Sequence, residues 1–122
     1  MRIFEIDAFD DDRSALERYQ RGECMVMAAT LHDLHGGTLV GIFDDVWDTV
    51  PRHVGVMFGE DVFGDARGLR QSRDEFLADY LGADCGALRI EPLTLPRMKA
   101  IWGKRIKNWT VPSVDMQELG LT

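Results

Sequence analysis

The chain is short of the residues that staple, stiffen or anchor a protein. Its 122 residues include only two cysteines, Cys24 and Cys85, and four prolines. Two thiols without C-x-x-C spacing build neither a disulfide framework nor a zinc ribbon, so a cysteine here matters through its reactivity if it matters at all. No apolar run approaches the roughly 18 residues that a membrane span needs. Repeats, low-complexity tracts and a Pro/Ser-rich linker are also missing, and one domain over residues 1–122 is expected. The opening MRIFEIDAFDDD has no basic stretch and no unbroken apolar run. A secretory signal is therefore not expected, and reduced, cytoplasmic thiols are the default reading.

Basic charge is scarce in the first half. Met1 to Asp65 holds fourteen acids and five bases, the remainder seven acids and nine bases, for a net charge of −7. A front half this acidic repels phosphate instead of releasing its counterions, which argues against nucleic acid as a general partner. The imbalance serves solubility. Its alternative use is in a non-catalytic acidic binding protein, such as a phage- or plasmid-type inhibitor that imitates nucleic acid.

What is present is an ordinary globular composition, 45% apolar and 29% charged, enough for a core without staples. A short helix fits Ser14 to Gln20, capped by Asp12 or a neighbour, with Gly22 past its end. A second helix opens at Glu23-Cys24 and runs to about His35, closed by Gly36-Gly37. Its start, CMVMAATL, is apolar on every side and marks a helix buried all round. TLVGIF (Thr38 to Phe43) reads as a strand. His53 to Phe58 and Val62 to Ala66 flank Gly59-Glu60-Asp61 as a hairpin. Ser72-Arg73-Asp74-Glu75 is a capping box for a helix to about Leu81. Leu88 to Leu93 reads as another strand. Thr94-Leu95-Pro96 opens a last helix with Met98, Ile101, Trp102 and Ile106 on one face. This order predicts an α+β domain with a mostly antiparallel sheet and a buried N-terminal helix packed on it.

Three residues combine into chemistry. Cys24 stands where the second helix begins, and a helix N-terminus favours thiolate and offers N–H groups to an oxyanion. His53 opens one hairpin strand and Asp65 closes the other, so pairing brings both to one end of the sheet. A base that reaches the sulfur and a third group that fixes its tautomer complete a nucleophilic site. Asp65→Asn, taken as a partly exposed change, is expected to move stability by no more than about 1 kcal/mol.

The stretch from His53 to Ala66, HVGVMFGEDVFGDA, resembles the histidine hairpin of NlpC-type, papain-like cysteine peptidases and amidases. There a His-Val-Gly strand turns and a second polar residue follows twelve positions after the histidine, the offset of Asp65 from His53. An acidic residue and a cysteine at the start of a buried upstream helix match as well, although Met25 stands where serine is usual. An aspartate as third member is more similar to the transglutaminase-like core. The resemblance spans about Arg21 to Gly68. It implies a papain-like fold with Cys24 as nucleophile, His53 as base and Asp65 as its orienter. The function it implies is a small hydrolase or acyltransferase working on an amide or thioester carbonyl of a protein or peptide-like substrate, without cofactor or metal.

Other candidates have a plainer reading. His32 and His35 form half of a metal site, but polar residues at a helix C-terminus are ordinarily just solvated. Asp10 to Asp12 and Asp44-Asp45 lack the glycine and closing glutamate of a calcium loop and read as caps and solvated loops. Gly103-Lys104 lacks the rest of a phosphate-binding loop. Arg97, Lys99, Lys104, Arg105 and Lys107, close to Trp102 and Trp109, suit a docked helix with a basic outer face better than a single-strand grip. Gln20, four residues before Cys24, is a candidate second oxyanion donor.

Overall fold

The computed structural model describes residues 14–44, 49–78, 80 and 87–121. Strands β1 (Thr38–Phe43), β2 (His53–Met57), β3 (Phe63–Asp65), β4 (Gly68–Arg70) and β5 (Arg89–Pro92) form one sheet in the order β4-β3-β2-β1-β5. Every neighbouring pair is antiparallel. Helices α1 (Ala15–Glu17), α2 (Cys24–His35), α3 (Arg73–Leu77), α4 (Leu95–Trp102) and α5 (Ser113–Glu118) surround it. The α+β class and the antiparallel sheet expected from the sequence are present.

Helix α2 explains its own composition. Every residue from Cys24 to Leu31 is buried, because the helix lies between two apolar surfaces. On one side are Leu39, Val54 and Val56 of the sheet. Met98, Ile106, Val111 and Met116 of the C-terminal third belong to the same cluster. Thr30, the polar exception, donates to the Val26 carbonyl at 2.9 Å and accepts the Val111 N–H at 2.9 Å, fastening that C-terminal segment across the helix. The helix stops at Gly36, whose φ of 77° is available to glycine without steric cost. The other sheet face buries Val40, Ile42 and Phe63 against Phe76 and Leu77 of α3.

Several boundaries differ from the sequence reading. Ser14 itself caps α1 in a capping box with Glu17, and after one turn the chain widens into a π-helical turn over Arg18–Gly22. Ser72 caps α3 through the Glu75 N–H, but Glu75 Oε1 accepts from Gln71 instead of closing the box. Helix α3 is regular only to Leu77, short of the expected Leu81. Thr94 caps α4, which ends at Trp102, so Ile106 lies past it. It is not the last helix, since α5 follows. Strand β4 and helix α5 have no counterpart in the sequence reading. No described helix is long and apolar enough to cross a membrane. Asp10 to Asp12, Asp45 and Cys85 lie outside the described residues.

Candidate active site

Register places the hairpin pair. Met57 opposes Phe63 and Val56 opposes Gly64. Directly paired residues share a face, and side chains alternate along each strand. His53 and Asp65 therefore share the face of Met57 and Phe63, at the same end of the two strands. His53 Nε2 lies 3.1 Å from Asp65 Oδ2, with the two side chains 0% and 1% exposed. A carboxylate oxygen at this distance accepts a hydrogen bond from an N–H at Nε2. Nδ1 is buried and has no hydrogen-bond partner among the described residues.

Cys24 adjoins the same ring. It is 5% exposed, on the first residue of α2, and that helix start carries no side-chain cap. Its thiol acts on the His53 ring. Burial pulls the imidazole down, but the hydrogen bond to Asp65 and the adjoining Cys24 outweigh it, and the ring is raised to about 9. Burial pushes the Asp65 carboxyl up. The hydrogen bonds from His53 and Arg67 more than reverse this and hold it well below the usual carboxylate range. The imidazole is held on its flanks by Phe76, at 5.6 Å between ring centroids, and by Tyr80, stacked at 5.5 Å. Gly55 makes this packing possible, since a Cβ there would come within 2.8 Å of the Phe76 ring.

Arg67 is the site residue that sequence reasoning missed. Its Nη2 donates to Asp65 Oδ2 at 2.7 Å, its backbone N–H to Oδ1 at 2.9 Å, and its Nε reaches both oxygens. Nη2 also reaches the Phe76 carbonyl at 3.3 Å, joining the carboxylate to the helix that packs on His53. One oxygen, Oδ2, thus serves both imidazole and guanidinium. A cation two residues after an aspartate at a strand end is the only trace of this in the sequence.

Gln20 is also drawn in. Its Nε2 is 3.4 Å from His53 Nε2 and 3.5 Å from Asp65 Oδ2, while its Oε1 is buried without a partner among the described residues. The amide therefore lies against the His53–Asp65 contact, whereas the sequence reading made it an oxyanion donor. The π-helical turn that carries it is strapped from outside. Tyr19 donates to Asp115 Oδ2 at 2.8 Å, Glu118 accepts the Ala15 N–H at 3.1 Å, and Arg18 bridges to Glu23 at 2.9 Å. Burial and the bond to Asp115 push the Tyr19 phenol upward. The C-terminal helix α5 thereby sets the position of the segment leading into Cys24.

The remaining candidates stay apart from this group. His32 Nδ1 bonds the Gly37 carbonyl at 2.9 Å and His35 meets the Phe58 ring edge-on. Among the described residues no three His, Cys, Asp or Glu side chains gather to hold a metal ion. Asp44 is not the solvated loop residue expected from the sequence. It is fully buried and ion-paired with Arg52 at the end of β1, so it adds nothing to an exposed acidic face. The basic segment does dock as expected, through Met98 in the core and with Trp102 and Trp109 packed against it. No family model matches the chain, and neither does any curated protein or solved structure.

Proposed function

We propose that the protein is a small cysteine-dependent hydrolase or acyltransferase that works on an amide or thioester carbonyl through Cys24, His53 and Asp65. One observation carries the reading. A buried imidazole has Nε2 committed to a buried carboxylate and Nδ1 uncommitted, with a thiol at a helix N-terminus beside the ring. A ring raised to about 9 remains protonated at neutral pH, the state that pairs with a thiolate.

The chemistry follows from that arrangement. The Cys24 sulfur attacks the carbonyl carbon, and the charge moves to the carbonyl oxygen, which the positive end of α2 at Cys24 stabilises. Collapse of the tetrahedral adduct breaks the bond to the amine or thiol, which leaves with the proton from His53. The acyl-thioester is then taken by water or by an amine, whose proton returns to His53. Water as acceptor makes the protein a peptidase, amidase or deamidase, and an amine makes it transglutaminase-like. The papain-like reading, a peptide-like substrate and a cytoplasmic setting belong to the same proposal.

An activated acyl donor tests it. Incubation with p-nitrophenyl acetate should leave an acetyl adduct on Cys24, located by peptide mass spectrometry, and Cys24→Ser and His53→Asn should abolish it. Acetylation confined to lysines, or equal labelling in His53→Asn, would refute the assignment.

A further inference from the structure

A second polar feature adjoins the start of α2. Between Gly22-Glu23 and the chain from Arg105 to Pro112 lies a cleft of about 420 Å³. Its charged lining residues are Arg18, Arg105, Lys107 and Glu23, and Arg18 pairs with Glu23 at 2.9 Å and with Asp115 behind it at 3.8 Å. Arg105 and Lys107 are in neither pair. Arg105 Nη2 donates to the Gly22 carbonyl at 3.4 Å, and Lys107 Nζ to the Gly103 carbonyl at 3.3 Å. Both side chains are exposed, and neither has a carboxylate partner among the described residues. Asn108 adds a donor, since its Oδ1 accepts the Thr110 N–H at 3.1 Å and its Nδ2 has no acceptor among the described residues.

On a chain of net charge −7, two uncompensated cations converging on one cleft call for an explanation. Solubility does not supply it, because acidic charge already serves that purpose. Docking of α4 does not supply it either, because the docked face is apolar and Arg105 and Lys107 lie past the helix end. The Arg105 contact also sets the cleft's position. The guanidinium rests on Gly22, two residues before Cys24.

We propose that this cleft is an anion subsite, holding a carboxylate or phosphate oxyanion of the molecule whose carbonyl Cys24 attacks. The proposal rests on the reading of Cys24 as nucleophile and adds the substrate class, an acyl compound that carries a negative charge. Arg105 and Lys107 supply the charge, and Asn108 a neutral donor.

Two alkylating reagents of nearly equal size separate the effects. Iodoacetate is anionic and iodoacetamide neutral, so their rate ratio at Cys24 reads the local potential. In Arg105→Glu/Lys107→Glu the ratio of iodoacetate to iodoacetamide rates should fall at least about fivefold. In Arg105→Gln/Lys107→Gln it should fall by less, and about 0.5 M salt should lower the parent ratio toward the variants. An unchanged ratio would overturn the subsite. Inertness of Cys24 to both reagents would count against the nucleophile reading instead. The subsite is then judged by titrating inorganic phosphate and following the amide resonances of Gly22, Glu23 and Asn108. Shifts in the parent that vanish in the charge-reversed protein support it. No shifts, or shifts that persist, refute it. A carboxylate source is distinguished from a phosphate source by comparing protection of Cys24 by acetate and by inorganic phosphate.

Discussion

The two ends of α2 pose the same question and answer it differently. At its C-terminus, His35 is exposed, and the half-buried His32 bonds the Gly37 carbonyl. At its N-terminus, Cys24, Gln20, His53 and Asp65 are all buried, and two polar atoms, His53 Nδ1 and Gln20 Oε1, have no partner among the described residues. Burying polar groups is costly, and leaving one unpaired costs about 1–3 kcal/mol more. The molecule bears that cost at one end only. Imidazoles alone do not mark a site, and the contrast between solvated and sealed polar groups does.

The largest expected effect is on reactivity at the sealed end. His53→Asn should slow iodoacetamide alkylation of Cys24 by about 100-fold or more, the usual contribution of a positioned base. A rate within about threefold of the parent would reduce the N-terminal cluster to core packing. Asp65→Asn comes next, with two readouts. Burial overturns the expectation of a change within about 1 kcal/mol, because Asp65 is 1% exposed and the substitution takes its charge away from both His53 and Arg67. We expect a loss of about 3–5 kcal/mol in denaturant titrations and at least a tenfold drop in Cys24 reactivity. Asp65→Asn/Arg67→Met should recover part of that stability without recovering reactivity. That separates the fold role of the carboxylate from its role toward His53.

Protonation sharpens the comparison further. The folded imidazole is raised to about 9 from an ordinary value near 6.5. Its contribution is therefore fully present below about pH 6.5 and is lost as pH rises through 9, on the order of 3 kcal/mol in all. Asp65 has the opposite sign, contributing above about pH 4 and losing that contribution as pH falls. Chemical denaturation from pH 3 to pH 10 should show both limbs, and His53→Asn should flatten the alkaline one. The smallest effects belong to the other end of α2. His32→Ala should cost no more than about 1 kcal/mol and His35→Ala less, with Cys24 alkylation within about twofold of the parent. A large loss of Cys24 reactivity in either would erase the contrast.

Much of the fold was legible because its signals are local. The apolar run of α2 ending in two glycines, the TLVGIF strand and the hairpin around Gly59 each follow from residues adjacent in sequence. Strand β4 escaped because three residues, Gly68–Arg70, are too few to show alternation. Helix α5 escaped because six residues with Met116 alone buried have no readable stripe. The candidate site divides along the same line. Cys24, His53 and Asp65 stand out by spacing and element boundaries. Arg67 does not, because a turn folds its guanidinium back onto Asp65. The place of Gln20 depends on a π-helical turn, whose Glu23 N–H to Arg18 carbonyl bond of 2.8 Å leaves no pattern in sequence. Burial was the least visible property, and it sets the energetics of Asp65 and Asp44.

The central claim is that Cys24 and His53 form one coupled unit, and an NMR titration of the His53 ring tests it without requiring any reagent to enter a sealed site. In the parent, the ring should stay protonated through neutral pH and release its proton near pH 9. In Cys24→Ser, which removes the sulfur and keeps Asp65 in place, the same release should move to distinctly lower pH. Identical titration curves in the two proteins would contradict the account, since the thiol would then have no hold on the ring.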